Sequence, residues 1–70
     1  MDFRALVAKN IKELIRTSGK TKIQIADELG VESSVISKFA NGIALPSPEN
    51  IKKLCKILNC DYADIMGTLK

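Results

Sequence analysis

The chain contains no histidine and no tryptophan. Without histidine, the commonest general acid–base group near neutral pH is missing, and no carboxylate pair, nucleophile–base pair or phosphate-binding loop stands out in its place. The sequence therefore reads as a non-enzyme. Cys55 and Cys60 are the only thiols. A structural zinc site needs four ligands at metal spacing, and they are missing. No metal and no cofactor are expected, and the two thiols read as reduced and buried. No apolar run approaches the roughly 18–20 residues of a membrane span. The opening MDFRALVAKN carries an acid early and has no apolar h-region, so no signal peptide is visible and the expected location is cytoplasmic. Aromatics make up only 4% of the residues, which leaves the core to aliphatic side chains.

What is present is a 70-residue chain with 46% hydrophobic residues, enough for one domain with a small core. The net charge is +3 and the pI about 9.0. That mild basicity fits a polyanionic partner without requiring one.

The central stretch, TKIQIADELGVESSVISKFANG from Thr21 to Gly42, reads as two short helices and a tight turn. Thr21 can cap the first, with Gln24 three residues on as a capping box requires. Ile25, Ala26 and Leu29 make one apolar face, and Gly30 stands where a left-handed terminator belongs. Val35, Ile36 and Phe39 repeat that spacing in the second helix, and Asn41-Gly42 ends it. Two helices this short, joined by a three- or four-residue turn with glycine, describe a helix-turn-helix.

The flanks are helical as well. Phe3, Leu6, Val7, Ile11, Leu14 and Ile15 recur with a 3.6-residue period, and Ser18-Gly19-Lys20 breaks the helix. The segment IALPSP cannot be helical through Pro46 and Pro48. Ser47 then caps a helix with Pro48 at its first position and Ile51, Leu54, Cys55 and Leu58 on its buried face. Its Lys52, Lys53 and Lys56 read as a solvated face. Asn59 is a left-handed terminator, and Asp61, with Asp64 three residues on, caps a last short helix. The expectation is an all-α, five-helix fold with helices at about 3–17, 22–29, 33–40, 48–58 and 62–66 and a tail at 67–70.

The pattern resembles the phage repressor/Cro-like helix-turn-helix family, also called the xenobiotic-response-element family. The resemblance runs from Leu6 to Met66. It is carried by Thr21, Ile25-Ala26, Leu29-Gly30-Val31, Ser34, Ile36-Ser37, Asn41-Gly42, Pro46, Leu54, Leu58 and the helix from Asp61 to Ile65. It implies a double-stranded DNA-binding transcriptional regulator, a repressor that binds as a homodimer with its third helix in the major groove. On that resemblance the DNA-binding residues are Lys20, Lys22, Ser33, Ser34, Ser37, Lys38 and Asn41. Lys38 can donate to guanine O6 and N7, whereas the serines discriminate bases poorly. Val35 could touch a thymine methyl if it faces out. Lys20 and Lys22 would add charge beside the free N–H groups that open helix two. Asn41 would reach phosphate, or else only cap the helix in a left-handed conformation.

The departures from the family pattern also carry information. Lys22 replaces the usual glutamine after the threonine and can still reach a phosphate as a point charge. Ile15 and Ala40 stand where many members pair an arginine with a glutamate. Losing both partners together avoids a stranded buried charge, which would cost roughly 3–5 kcal/mol. Glu32 occupies the cap position of helix three, where it caps poorly, so Ser33 could take over and shift the helix start. Ile43, Ala44 and Leu45 fill a loop that is often basic. The dimer or partner surface is expected at Ile43, Leu45, Tyr62, Ile65 and Met66. Exposed apolar area at Ile23 and at that loop supports an alternative: a protein-binding helix-turn-helix module, antirepressor- or antitoxin-like, docking on another regulator.

Overall fold

The computed structural model describes residues 3–67, and the expected all-α, five-helix architecture is found among them. Helix α1 (Phe3–Ser18) is followed by α2 (Lys22–Leu29), α3 (Ser33–Ala40), α4 (Pro48–Leu58) and α5 (Tyr62–Met66). Beyond Gly67 the expected tail lies outside the described residues. No helix among them is long and apolar enough to cross a membrane.

The starts of α2, α4 and α5 follow from local polar chemistry. At α2, Thr21 Oγ1 accepts the Gln24 N–H at 3.1 Å, and Gln24 Oε1 accepts the Thr21 N–H at 2.8 Å. The reciprocal pair satisfies two N–H groups that a bare helix end leaves open. At α4, Ser47 Oγ accepts the Asn50 N–H at 3.2 Å, and Pro48 sits where a missing N–H does no harm. At α5, the Asp64 carboxylate accepts the Asp61 N–H at 2.9 Å. Helix α1 runs one residue past Thr17 because the Ser18 hydroxyl donates to the Ile15 carbonyl at 2.8 Å and accepts the Lys20 N–H at 3.0 Å.

Three helices end by one device, the Schellman pair of bonds around a left-handed residue. At α2, Gly30 (φ 83°) lets the Val31 N–H reach the Ala26 carbonyl at 2.9 Å. At α3, the Ile43 N–H reaches Lys38 at 3.0 Å around Gly42, whose φ is 74°. At α4, the Cys60 N–H reaches Cys55 at 2.9 Å around Asn59, whose φ is 54°. The residues so bridged are the pair whose side chains meet in this motif. At α4 that pair is the two cysteines.

The core takes residues from every helix: Val7 and Ile11 from α1, Ile25 and Leu29 from α2, Ile36 and Phe39 from α3, Ile51, Leu54 and Leu58 from α4, and Ile65 from α5. The expected core is not matched at every position. Phe3 is exposed, and Ala8 is buried instead. Gly42 comes up against Arg4 and Ala8, and Gly67 against Leu6, all of them beyond the exposed Phe3. Val35 is only half-buried at the core edge. Ile15 packs against the core and Ala40 is buried within it, as the double apolar replacement requires. No buried charged side chain is found among the described residues.

The contact of α5 with α1 is close. Asn10 Nδ2 donates to the Ile65 carbonyl at 3.0 Å. A Cβ on Gly67 would stand 2.8 Å from Leu6 Cδ2, which would have to shift, and the φ of 81° there strains any residue but glycine.

Both cysteines are free and half-buried rather than fully buried. Burial, Cys55, Asp64 and Asp61 push the Cys60 thiol up to about 11, above its ordinary value of 9.0. Since the thiolate is the reactive form, Cys60 in the folded protein should alkylate with iodoacetamide at pH 8 at least about tenfold more slowly than in denaturant. Peptide mass mapping of the time course checks this, and equal rates would contradict the assignment.

Candidate nucleic-acid interface

The helix-turn-helix pair consists of α2, the turn at Gly30-Val31 and α3. Its polar groups divide into those already paired and those left open. At the start of α2 the capping box consumes the Thr21 and Gln24 N–H groups. The Lys22 and Ile23 N–H groups, in the first turn, have no acceptor among the described residues. They point out of the positive end of the helix dipole, an arrangement suited to an anion such as phosphate. The Lys22 side chain is exposed and carries no ion pair or hydrogen bond among the described residues.

Lys20 is different. It is half-buried, and its ammonium donates to both carboxylate oxygens of Glu28, at 3.2 and 3.1 Å, and to the Ile57 carbonyl at 2.9 Å. The expected charge beside the α2 N-terminus is there, and its three donors are held by Glu28 and Ile57.

On α3, Ser33, Ser34 and Lys38 are exposed and Ser37 is half-buried, and none makes a side-chain hydrogen bond among the described residues. Ser33 does not take over the cap. Glu32 holds the cap position with φ −77° and ψ 153°, and its carboxylate makes no capping bond. Helix α3 buries Ile36, Phe39 and Ala40, and its cap is left without a side-chain bond.

Asn41 is exposed with φ −103°, outside the left-handed region, so the alternative of a left-handed Asn41 cap falls away. Gly42 takes that conformation because it lacks a Cβ. The Asn41 side-chain amide has no partner among the described residues.

Among the expected partner residues, Ile43 (65%), Tyr62 (55%) and Leu45 (41%) are exposed. Met66 is half-buried against the core. Ile65 is 0% exposed and belongs to the core, so it is corrected from a surface to an interior residue. It falls inward because a five-residue helix has one buried face, and Ile65 occupies it. Ile23 stands out at 71% exposure.

Two features escaped the sequence reading. The Lys20–Glu28–Ile57 link joins residues 8 and 37 positions apart, and no local pattern announces it. The choice of Gly42 over Asn41 was half visible, since the Asn-Gly pair signalled a left-handed residue without saying which one.

The helix-turn-helix family profile matches residues 11–65. Antitoxin PezA of Streptococcus pneumoniae is 34% identical over 62 residues, covering 89% of this chain and 39% of PezA. An uncharacterized HTH-type transcriptional regulator of Bacillus subtilis, RghRB, is 37% identical over 60 residues, covering 84% of this chain and 43% of RghRB. Among solved structures, the SOS-response transcriptional repressor LexA from Eubacterium rectale superposes with a TM-score of 0.87 at 26% identity, covering 97% of this chain and 72% of that one. The chain spans about two fifths of the length of either of the first two relatives.

The uncapped start of α3 gives a stability test. Glu32→Ser supplies the missing side-chain acceptor and should stabilise the fold by about 1 kcal/mol. For a chain of this size that raises Tm by roughly 4–8 °C. Thermal melts followed by circular dichroism measure it, and an unchanged Tm would mean that the α3 start is already satisfied.

Proposed function

The chain belongs to the phage repressor/Cro-like helix-turn-helix family, and from that premise we propose that its 70 residues act as a DNA-binding module of a transcriptional regulator, repressor-like and cytoplasmic. The observation that carries the proposal is the set of unpaired groups on the helix pair: Lys22, the Lys22 and Ile23 N–H groups, Lys38 and Asn41. Phosphate binding requires such groups open and cationic, and base reading requires at least one free donor at the groove. Helix α3 enters the major groove. Lys38 reads guanine, Ser33, Ser34 and Ser37 add adaptable contacts, and Lys22 and Asn41 hold backbone phosphate. Two copies bind half-sites about one helical turn (~34 Å) apart, which supplies the affinity that one small module lacks. Tyr62, Met66, Ile43 and Leu45 offer the apolar surface for that pairing.

A second reading draws support from the exposed Ile23 and Ile43 and from the relative named as an antitoxin. On it, the same scaffold docks on a protein partner. The two readings separate on a random-sequence duplex titrated with salt. A DNA binder loses affinity with a slope of about −0.9 per phosphate contact, and no binding at low salt would sink the first reading.

Within the DNA reading, Lys38→Ala should cost roughly 1–3 kcal/mol and relax preference at one base position. Lys22→Ala should weaken binding to all sequences alike and reduce the salt slope by about 1. Selection from a randomised duplex pool reads the first effect. An unchanged base preference would limit Lys38 to the backbone.

A further inference from the structure

We infer that Lys20 is a positioning residue for the interface: it ties the turn that leads into α2 to Glu28 in the last turn of α2 and to the C-terminal end of α4, and contacts no phosphate itself. The inference rests on the DNA-binding reading for its consequence, although the clamp can be tested without DNA. An ammonium has three donors and no acceptor. Here there are three acceptors: Glu28 Oε1 at 3.2 Å, Glu28 Oε2 at 3.1 Å and the Ile57 carbonyl at 2.9 Å.

Each acceptor has a reason to keep its donor. Ile57 lies in the last turn of α4, where carbonyls lack intrahelical partners. The Asp61 N–H that could have served it bonds to Asp64 instead, and no backbone N–H among the described residues reaches the Ile57 carbonyl. That end of the helix also carries the negative pole of the dipole, which favours a cation. Glu28 sits on α2 with no other ion pair. For Lys20 to turn to a phosphate, it would have to abandon both groups and leave a carboxylate and a bare carbonyl beside an incoming anion. Lys22, two residues on, has no such ties.

The location gives the clamp its effect. The Lys20 N–H is held by Ser18 Oγ at 3.0 Å, so main chain and side chain are both anchored. Thr21, the next residue, caps α2. The Lys22 and Ile23 N–H groups follow at once. A side chain that joins the turn just before α2 to a residue 37 positions away therefore fixes where those N–H groups stand. An exposed ion pair alone would contribute little. The carbonyl bond and the half-buried stem add what an exposed pair lacks.

The test uses Lys20→Met, which keeps an apolar stem and removes the ammonium. It is read by amide hydrogen exchange and by titration of a random-sequence duplex at several salt concentrations, with Lys22→Met alongside. The clamp predicts faster exchange at Gln24 and Ile25, whose N–H groups bond Thr21, with Ile36 unchanged. It also predicts affinity lower by about threefold to tenfold with an unaltered salt slope. Lys22→Met should lower the magnitude of that slope by about 0.9. Lys20→Arg, which retains a cationic donor, should restore both exchange and affinity. A slope reduced in Lys20→Met as in Lys22→Met would overturn the inference, and so would exchange and affinity both left at the parent values. Should the parent protein bind no duplex, the DNA reading fails by itself, and exchange at Gln24 and Ile25 still decides the clamp. If Lys20→Met does not fold, Lys20→Gln carries the same measurements.

Discussion

Helices of eight, eight and five residues, the lengths of α2, α3 and α5, do not persist alone in water, because nucleation is costly and few bonds repay it. Their existence depends on one meeting point. Ile11, Ile25, Ile36, Leu54 and Ile65 each come from a different helix, and none is more than 1% exposed. With no tryptophan and few aromatics, these branched aliphatics carry the packing. Four of the five are isoleucines, whose χ1 is stiff, so the helices are held in defined orientations as well as being buried. The orientation of α3 is inherited from Ile36 and its neighbours, since the Glu32 cap contributes no side-chain bond.

That dependence explains which features were legible in the sequence. Helical periodicity and capping are local, so the five helices, the α2 capping box, the Pro48 start and the glycine turn could all be read from neighbouring residues. Errors arose where a local pattern met a longer-range limit. Phe3 fits the α1 period, yet it is exposed. Ile65 fits an apolar α5 face, and only the assembled core shows that this face points inward. Ser33 is the better cap by residue type, yet it is the first residue of α3 and Glu32 holds the cap position. At the interface, residue type identified the lysines, but which of them is free depended on Glu28 and Ile57, out of reach of local reading.

The charges around the helix pair are mixed rather than uniformly basic. Lys22 and Lys38 are exposed and unpaired among the described residues, while Asp27, Glu28 and Glu32 stand on the same two helices or their turn. Three lysines lie on α4, where Lys53 reaches Glu49 at 3.8 Å. A net charge of +3 spread this way gives a weak overall field. Affinity for a polyanion must then come from a few well-placed groups, and placement becomes the controlling variable. Open N–H groups at a helix start work only if the helix start is fixed.

Two ties do that fixing, and they differ in kind. The family resemblance implies a charged pair between the end of the first helix and the end of the third; this chain has Ile15 against the core and Ala40 buried within it. Apolar packing there carries no desolvation cost and imposes little direction. The polar tie stands elsewhere, at Lys20, between α2 and α4. Hydrogen bonds to a carboxylate and a carbonyl are directional in a way that aliphatic contacts are not. The core thus holds α3 against α1 by volume, while Lys20 holds α2 against α4 by geometry. A helix pair secured at one side by shape and at the other by hydrogen bonds can present its free lysines in one arrangement without burying a charge.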